Sequence, residues 1–138
     1  MYLIDTDVIS EARKGVKADA GVRAFFANAA REGTALYLSV ITLGELRRGV
    51  ERIRYRGDRA QAQTLERWLQ RVTAQYGDSI LPFEADAADI WGRLRVPHAG
   101  NPLDKQIAAT ALIYDLIIVT RNTTHYEPTG VRVLNPLT

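Results

Sequence analysis

The chain has 138 residues, 46% hydrophobic and 25% charged, which fits one globular domain over residues 1–138 and excludes a disordered or collagen-like chain. Its formal net charge is only +2, but the basic side is fifteen Arg against three Lys, and the arginine fork favours bidentate phosphate contacts. The absence of Cys excludes disulfides, thiol catalysis and zinc–thiolate sites. The N-terminus lacks a basic, cleavable leader pattern. The most apolar stretch, 108–120, is interrupted by Asp115 and falls short of the roughly 18 residues of a membrane span. A soluble, cytoplasmic protein with no membrane partner is expected.

Tyr2-Leu3-Ile4 is a short apolar run ending at Asp5 and predicts a buried strand. A helix over 7–13 stops at Lys14-Gly15. A second helix, 18–31, carries Val22, Phe25, Phe26 and Ala29 at helical spacing and ends near Gly33. Residues 36–38 form the next strand. A helix over 39–53 turns Ile41, Leu46 and Val50 inward, and Gly57-Asp58 breaks it from a helix over 59–76 with Leu65, Trp68, Leu69 and Val72 on one face. A short strand at 80–83, a helix at 85–96 and a loop at 97–101 follow. Pro102 opens a helix over 102–114. The strand at 116–120 is apolar and β-branched, and 131–134 closes the chain as a last strand. Short apolar strands alternating with helices predict a three-layer α/β/α sandwich around a mainly parallel sheet.

Such sheets bind ligands beyond the carboxyl ends of their strands. Asp5 and Asp7 follow the first strand, Glu45 lies one turn into the third helix, and Asp104 lies in the first turn of the helix at 102–114. Each has a bland explanation. Asp5 or Asp7 can cap a helix, Thr42 and Glu45 have capping-box spacing, and Asn101 can cap a helix whose third position Asp104 favours electrostatically. Gly44, costly inside a helix, suggests close packing or a close ligand. Together, three acids from distant segments gather where the sheet gathers its site. Helix N-termini are expected to keep them ionised and low in pKa. Ionised carboxylates without Cys or a His cluster call for a hard cation, Mg²⁺ or Mn²⁺, and such a site suits phosphoryl chemistry. Asn122, after the strongest strand, is a candidate fourth polar group, and Thr120 a brace for the carboxylates. Asp86 and His125 read as surface or structural residues.

Four segments, taken in order, resemble the PIN-domain ribonucleases, in particular the VapC-type toxins and their FitB-like subgroup. They are residues 2–10, residues 41–49 around Gly44-Glu45-Leu46-Arg47, residues 101–111 around Pro102-Leu103-Asp104, and Val119-Thr120-Arg121-Asn122. The resemblance implies Asp5, Glu45 and Asp104 as an acidic triad around Mg²⁺ or Mn²⁺, with Asn122 where many relatives carry Asp. That leaves one fewer negative charge to hold a second metal. It further implies RNA cleavage by metal-activated water, a homodimer, and silencing by a small DNA-binding antitoxin that pushes a basic side chain into the acidic pocket.

Residues 43–71 hold eight Arg and no Lys against four acids, a local charge of +4. The i, i+4 pairs considered, Arg48–Arg52 and Glu51–Tyr55, are not of opposite charge, so intrahelical salt bridging reads as a poor explanation. Arg47 and Arg48 are candidate phosphate contacts for RNA. Tyr55 and Trp68 read first as packing residues. Removing Asp5, Asp7, Glu45 and Asp104 from the tally leaves 18 basic against 12 acidic residues, or +6, an acidic pocket in a basic surface. Two competing readings remain. In one, Asp5-Thr6-Asp7-Val8 mimics the nucleophile motif of haloacid-dehalogenase-like phosphohydrolases, although the rest of that signature is missing. In the other, the acids only cap helices in a catalytically silent binding module.

Overall fold

The computed structural model describes residues 1–138. Five strands, β1 (Tyr2–Ile4), β2 (Leu36–Ser39), β3 (Ile80–Leu81), β4 (Ile117–Val119) and β5 (Val133–Leu134), form one sheet in the order β3-β2-β1-β4-β5. Every pairing is parallel. The seven helices are α1 (Thr6–Ala12), α2 (Ala20–Glu32), α3 (Val40–Tyr55), α4 (Arg59–Tyr76), α5 (Ala85–Leu94), α6 (Pro102–Tyr114) and α7 (Thr123–Tyr126). This is the expected α/β/α sandwich.

The strands are short, and alternate residues feed opposite layers. Ile4, Leu38 and Val119 point to one face. There they pack with Val8 and Ile9 of α1, Val22 of α2, Leu46 and Val50 of α3, and Leu69 and Val72 of α4. Leu3, Leu81 and Ile118 point to the other face, onto Ile107, Ala108 and Ala111 of α6 and Tyr126 of α7. Small alanines on α6 let that helix lie close to the sheet. No helix is long and apolar enough to cross a membrane.

The strand order reverses beside β1. From β1 the chain first builds outward through β2 and β3, then returns to lay β4 and β5 on the other side. The crevice at such a switch point, beyond the carboxyl ends of β1 and β4, is where an open parallel sheet binds ligands. Asp5 and Thr120 are the first residues past those two ends.

Several local expectations are corrected. Helix α3 is capped by Ser39, whose Oγ accepts from the Ile41 N–H at 3.0 Å, so Thr42 and Glu45 form no capping box. Thr42 is fully buried and its hydroxyl accepts from that of Thr6. Gly44 is exposed with open space where a Cβ would stand, so packing does not require it. Asn101 does not cap α6 with its side chain. It holds a left-handed turn (φ 52°), which Asn tolerates better than most residues. Helix α5 ends at Leu94, two residues early, β5 is only Val133–Leu134, and the short α7 was not expected. Tyr55 is 94% exposed and belongs to no core.

Leu38 is fully buried at the centre of the larger cluster. Leu38→Ala should destabilise the fold by about 3 kcal/mol, read from the midpoint of urea unfolding at unchanged slope.

Candidate active site

The polypeptide reaches the crevice from four directions. Asp5 leaves β1 with an extended backbone and becomes the N-cap of α1, its Oδ1 accepting from the Thr6 N–H at 2.8 Å. Its other oxygen is not left to solvent. Oδ2 accepts from the Thr120 hydroxyl at 2.8 Å and from the Tyr126 hydroxyl at 2.9 Å. Asp5 is 3% exposed, and Thr120 and Tyr126 are fully buried. Thr120 also accepts from the Asn122 N–H at 3.0 Å, so it ties the turn after β4 to the carboxylate beside it.

Asp7, on the first turn of α1, accepts from the Arg121 N–H through Oδ2 at 3.0 Å, while its buried Oδ1 has no hydrogen-bond partner. Asp104, on the first turn of α6, lies with Oδ2 at 2.8 Å from His125 Nδ1. Next to it, Lys105 turns the other way and is 2% exposed. Its Nζ donates to the Gly100 carbonyl at 2.7 Å and to the His98 carbonyl, pinning the loop that leads into α6.

Asp5, Asp7, Glu45, Asp104 and Asn122 line one pocket of about 260 Å³, completed by Thr6, Leu103 and Ile107. A larger groove of about 380 Å³, by Ala12, Val16, Val22 and Phe26, is apolar and holds no carboxylate. Asp86 stays outside the acidic pocket, exposed and bonded to the Ala87 N–H on its own helix.

The electrostatics reverse the expectation of a low pKa for Asp5. Burial pushes the Asp5 carboxyl up to about 6, and the neighbouring Asp7 charge adds to it. The hydrogen bonds from Thr120, Thr6 and Tyr126 oppose this without cancelling it. Asp7 is also raised, by burial first and by Asp104 in part, against the N–H and charge of Arg121. Desolvation outweighs the helix ends here. Burial, together with the charges of Asp5 and Asp104, holds the Tyr126 phenol far above its ordinary range, so it remains a donor.

The donor set is all oxygen, crowded, and includes one buried carboxylate oxygen without a partner. Those features fit a hard divalent cation. No three acids or histidines converge at ligand distance. A magnesium ion asks for less, since it keeps several waters and takes one or two carboxylates.

Arg47 and Arg48 do not line this pocket. The Arg47 guanidinium is paired with Glu66 of α4 at 2.7 and 2.8 Å and with Glu51 at 3.1 Å, and Arg54 binds the same two acids. Salt bridging thus explains part of the arginine-rich segment, and Arg47–Glu51 is the opposite-charge i, i+4 pair that the sequence reading passed over. Arg48 is exposed and makes no ion pair. Neither Tyr126, which the sequence pattern does not mark, nor His125, which reads there as a surface or structural residue, was expected at the site. Their nearness to Asn122, within one short helix start, was the available signal.

Comparison with known proteins agrees with this architecture. The PIN domain family matches residues 2–130. The VapC ribonuclease Y4jK of Sinorhizobium fredii is 33% identical over 99% of this chain and 97% of its own length. Toxin FitB of Neisseria gonorrhoeae is 33% identical over 99% and 98%. The crystal structure of FitAcB from Neisseria gonorrhoeae superposes with a TM-score of 0.85 at 31% identity, covering 99% of this chain and 98% of that one. FitAB bound to an IR36 DNA fragment gives a TM-score of 0.80 at 29% identity over 99% and 95%. A sheet that reverses at β1, an acidic pocket at that reversal and a family match across nearly the whole length lead to one conclusion: the chain belongs to the PIN domain family.

Proposed function

We propose that this chain is a metal-dependent endoribonuclease and the toxin of a toxin–antitoxin pair. The observation that carries the reading is the convergence of Asp5, Asp7, Glu45, Asp104 and Asn122 on one pocket at the switch point of a PIN fold. The names of its relatives, a VapC ribonuclease and a FitB toxin, support the reaction and the biological role. FitAB on DNA supports a DNA-binding antitoxin as partner; a toxin homodimer inside the larger complex is what the family resemblance implies.

In this reading Asp5 and Asp104 hold a magnesium or manganese ion, and Glu45 and Asn122 orient the attacking water and the scissile phosphate. When bound, the ion lowers the pKa of a water and offsets phosphate charge. The chain's own work is orientation. Thr120 and Tyr126 fix the carboxylate plane of Asp5 through two O–H donors, so that group cannot swing away from the pocket. His125 does the same for Asp104 from outside. Asp7 keeps one oxygen free while the Arg121 N–H anchors the other. Phosphodiester hydrolysis then adds water across one P–O bond, leaving a phosphate monoester and a hydroxyl.

Asp5→Asn and Asp104→Asn should each lower RNA cleavage at least about a hundredfold while the circular dichroism spectrum stays native. EDTA should abolish cleavage by wild type, and Mg²⁺ or Mn²⁺ should restore it. Equal activity of wild type and both variants, after rigorous removal of contaminating nucleases, would assign the acids to capping alone.

The raised pKa of Asp5 has a sign that can be read from stability. The folded state binds the Asp5 proton more tightly than the unfolded chain does, with about 6 against 3.8. Its contribution is therefore present below pH 3.8 and lost as the pH rises through about 6. In EDTA, wild type should lose thermal stability relative to Asp5→Asn across that window. A constant difference between the two melting temperatures over the same window contradicts the shift.

A further inference from the structure

The arginines of α3 and of its C-cap, Arg56, fall into two populations that the composition does not separate. Arg47 and Arg54 face α4 and are neutralised by Glu51 and Glu66. Arg48, Arg52 and Arg56 make no ion pair and no side-chain hydrogen bond, and all three are exposed. They line a shallow groove of about 290 Å³ together with Glu51 and Tyr55.

Their placement relative to the acidic pocket is the informative feature. Glu45 lines that pocket from the same helix. Arg48, Arg52 and Arg56 follow it on the same helical face, one, two and three turns on. Arg48, Arg52 and Arg56 therefore rise in steps of roughly 6 Å, and the stripe ends roughly 17 Å from Glu45. Steps of that size suit successive phosphates of an extended single strand. Tyr55, 94% exposed beside Arg52 and Arg56, offers a bare aromatic face on which a base can stack. Arginine forks without a carboxylate partner, in line with a phosphodiester-cleaving pocket, fit a polyanionic strand better than a protein surface, for which the groove has no apolar anchor beyond Tyr55.

We propose that Arg48, Arg52, Arg56 and Tyr55 form a track along α3 that holds single-stranded RNA leading out of the acidic pocket. The proposal rests on the ribonuclease reading for the direction of the strand, not for the binding itself. It makes binding strength depend on oligonucleotide length, since only a strand long enough to leave the pocket reaches Arg52 and Arg56.

The test is fluorescence anisotropy with labelled oligouridylates of four and twelve nucleotides, in EDTA so that nothing is cut, over a salt series. Wild type is compared with Arg52→Gln/Arg56→Gln and with Arg67→Gln/Arg71→Gln, which removes the same charge from exposed, unpaired arginines of α4. The track predicts that Arg52→Gln/Arg56→Gln binds the twelve-mer about tenfold more weakly and lowers its salt slope by about 1.4. The four-mer should lose far less, and the α4 variant should track wild type. Equal losses in both variants mean that only net charge matters, and they overturn the track. So does an unchanged twelve-mer affinity, or a loss that gel filtration traces to dissociation of a wild-type oligomer, which would make the stripe a protein interface. A length-dependent loss in a chain that cuts no RNA would leave the track standing and remove the ribonuclease reading. Cleavage by wild type without that loss would do the reverse.

Discussion

The site depends on one buried carboxylate. Asp5 sits at the end of the central strand, closes the N-terminus of α1 with one oxygen, and takes two hydroxyl donors on the other. Those donors come from the far end of the sequence, Thr120 after β4 and Tyr126 in α7, so the carboxylate joins three elements at the point where the sheet changes direction. The arrangement is costly. Burial drives the Asp5 pKa up, and Asp7 beside it raises it further. A charge kept where it disfavours the fold is common at sites that act on ligands, because the ligand supplies what the protein alone does not.

The remaining groups follow from that centre. Arg121 and Asn122 continue the turn that Thr120 begins, bringing the Arg121 N–H to Asp7 and Asn122 to the pocket. Tyr126 places His125, its neighbour, against Asp104. Asp104 is brought in by α6, whose entry loop is pinned by the buried ammonium of Lys105. Glu45 arrives independently on α3. That helix carries the pocket's chemistry at one end and an exposed cationic stripe along its length, while its opposite side is neutralised by α4. The net charge of +2 is therefore a sum of an acid crevice, a neutral ion-pair network and a bare basic face.

The order of strands and helices was readable because short apolar runs and helical periodicity are local signals. The gathering of Asp5, Glu45 and Asp104 followed from one topological rule applied to their positions near a strand end or a helix start. What escaped was long-range or depended on depth. Thr42 looked like a cap because a sequence shows spacing, whereas Ser39 takes that role and Thr42 is buried. Capping logic registers the helix end but not burial, so the direction of the Asp5 shift was wrong. Arg47 finds Glu66 on the next helix, a partner no intrahelical spacing predicts. Tyr126 lies in a polar stretch without periodicity, and only the folded chain brings its hydroxyl to Asp5.

The proposed ribonuclease chemistry requires this pocket to hold a divalent cation. Titration of Mn²⁺ into the metal-free chain, followed by the loss of the free-ion electron paramagnetic resonance signal, measures this directly. Saturable binding in wild type, strongly weakened in Asp104→Asn without loss of fold, is the predicted result. Binding that is absent in wild type, or unchanged in Asp104→Asn, would contradict it.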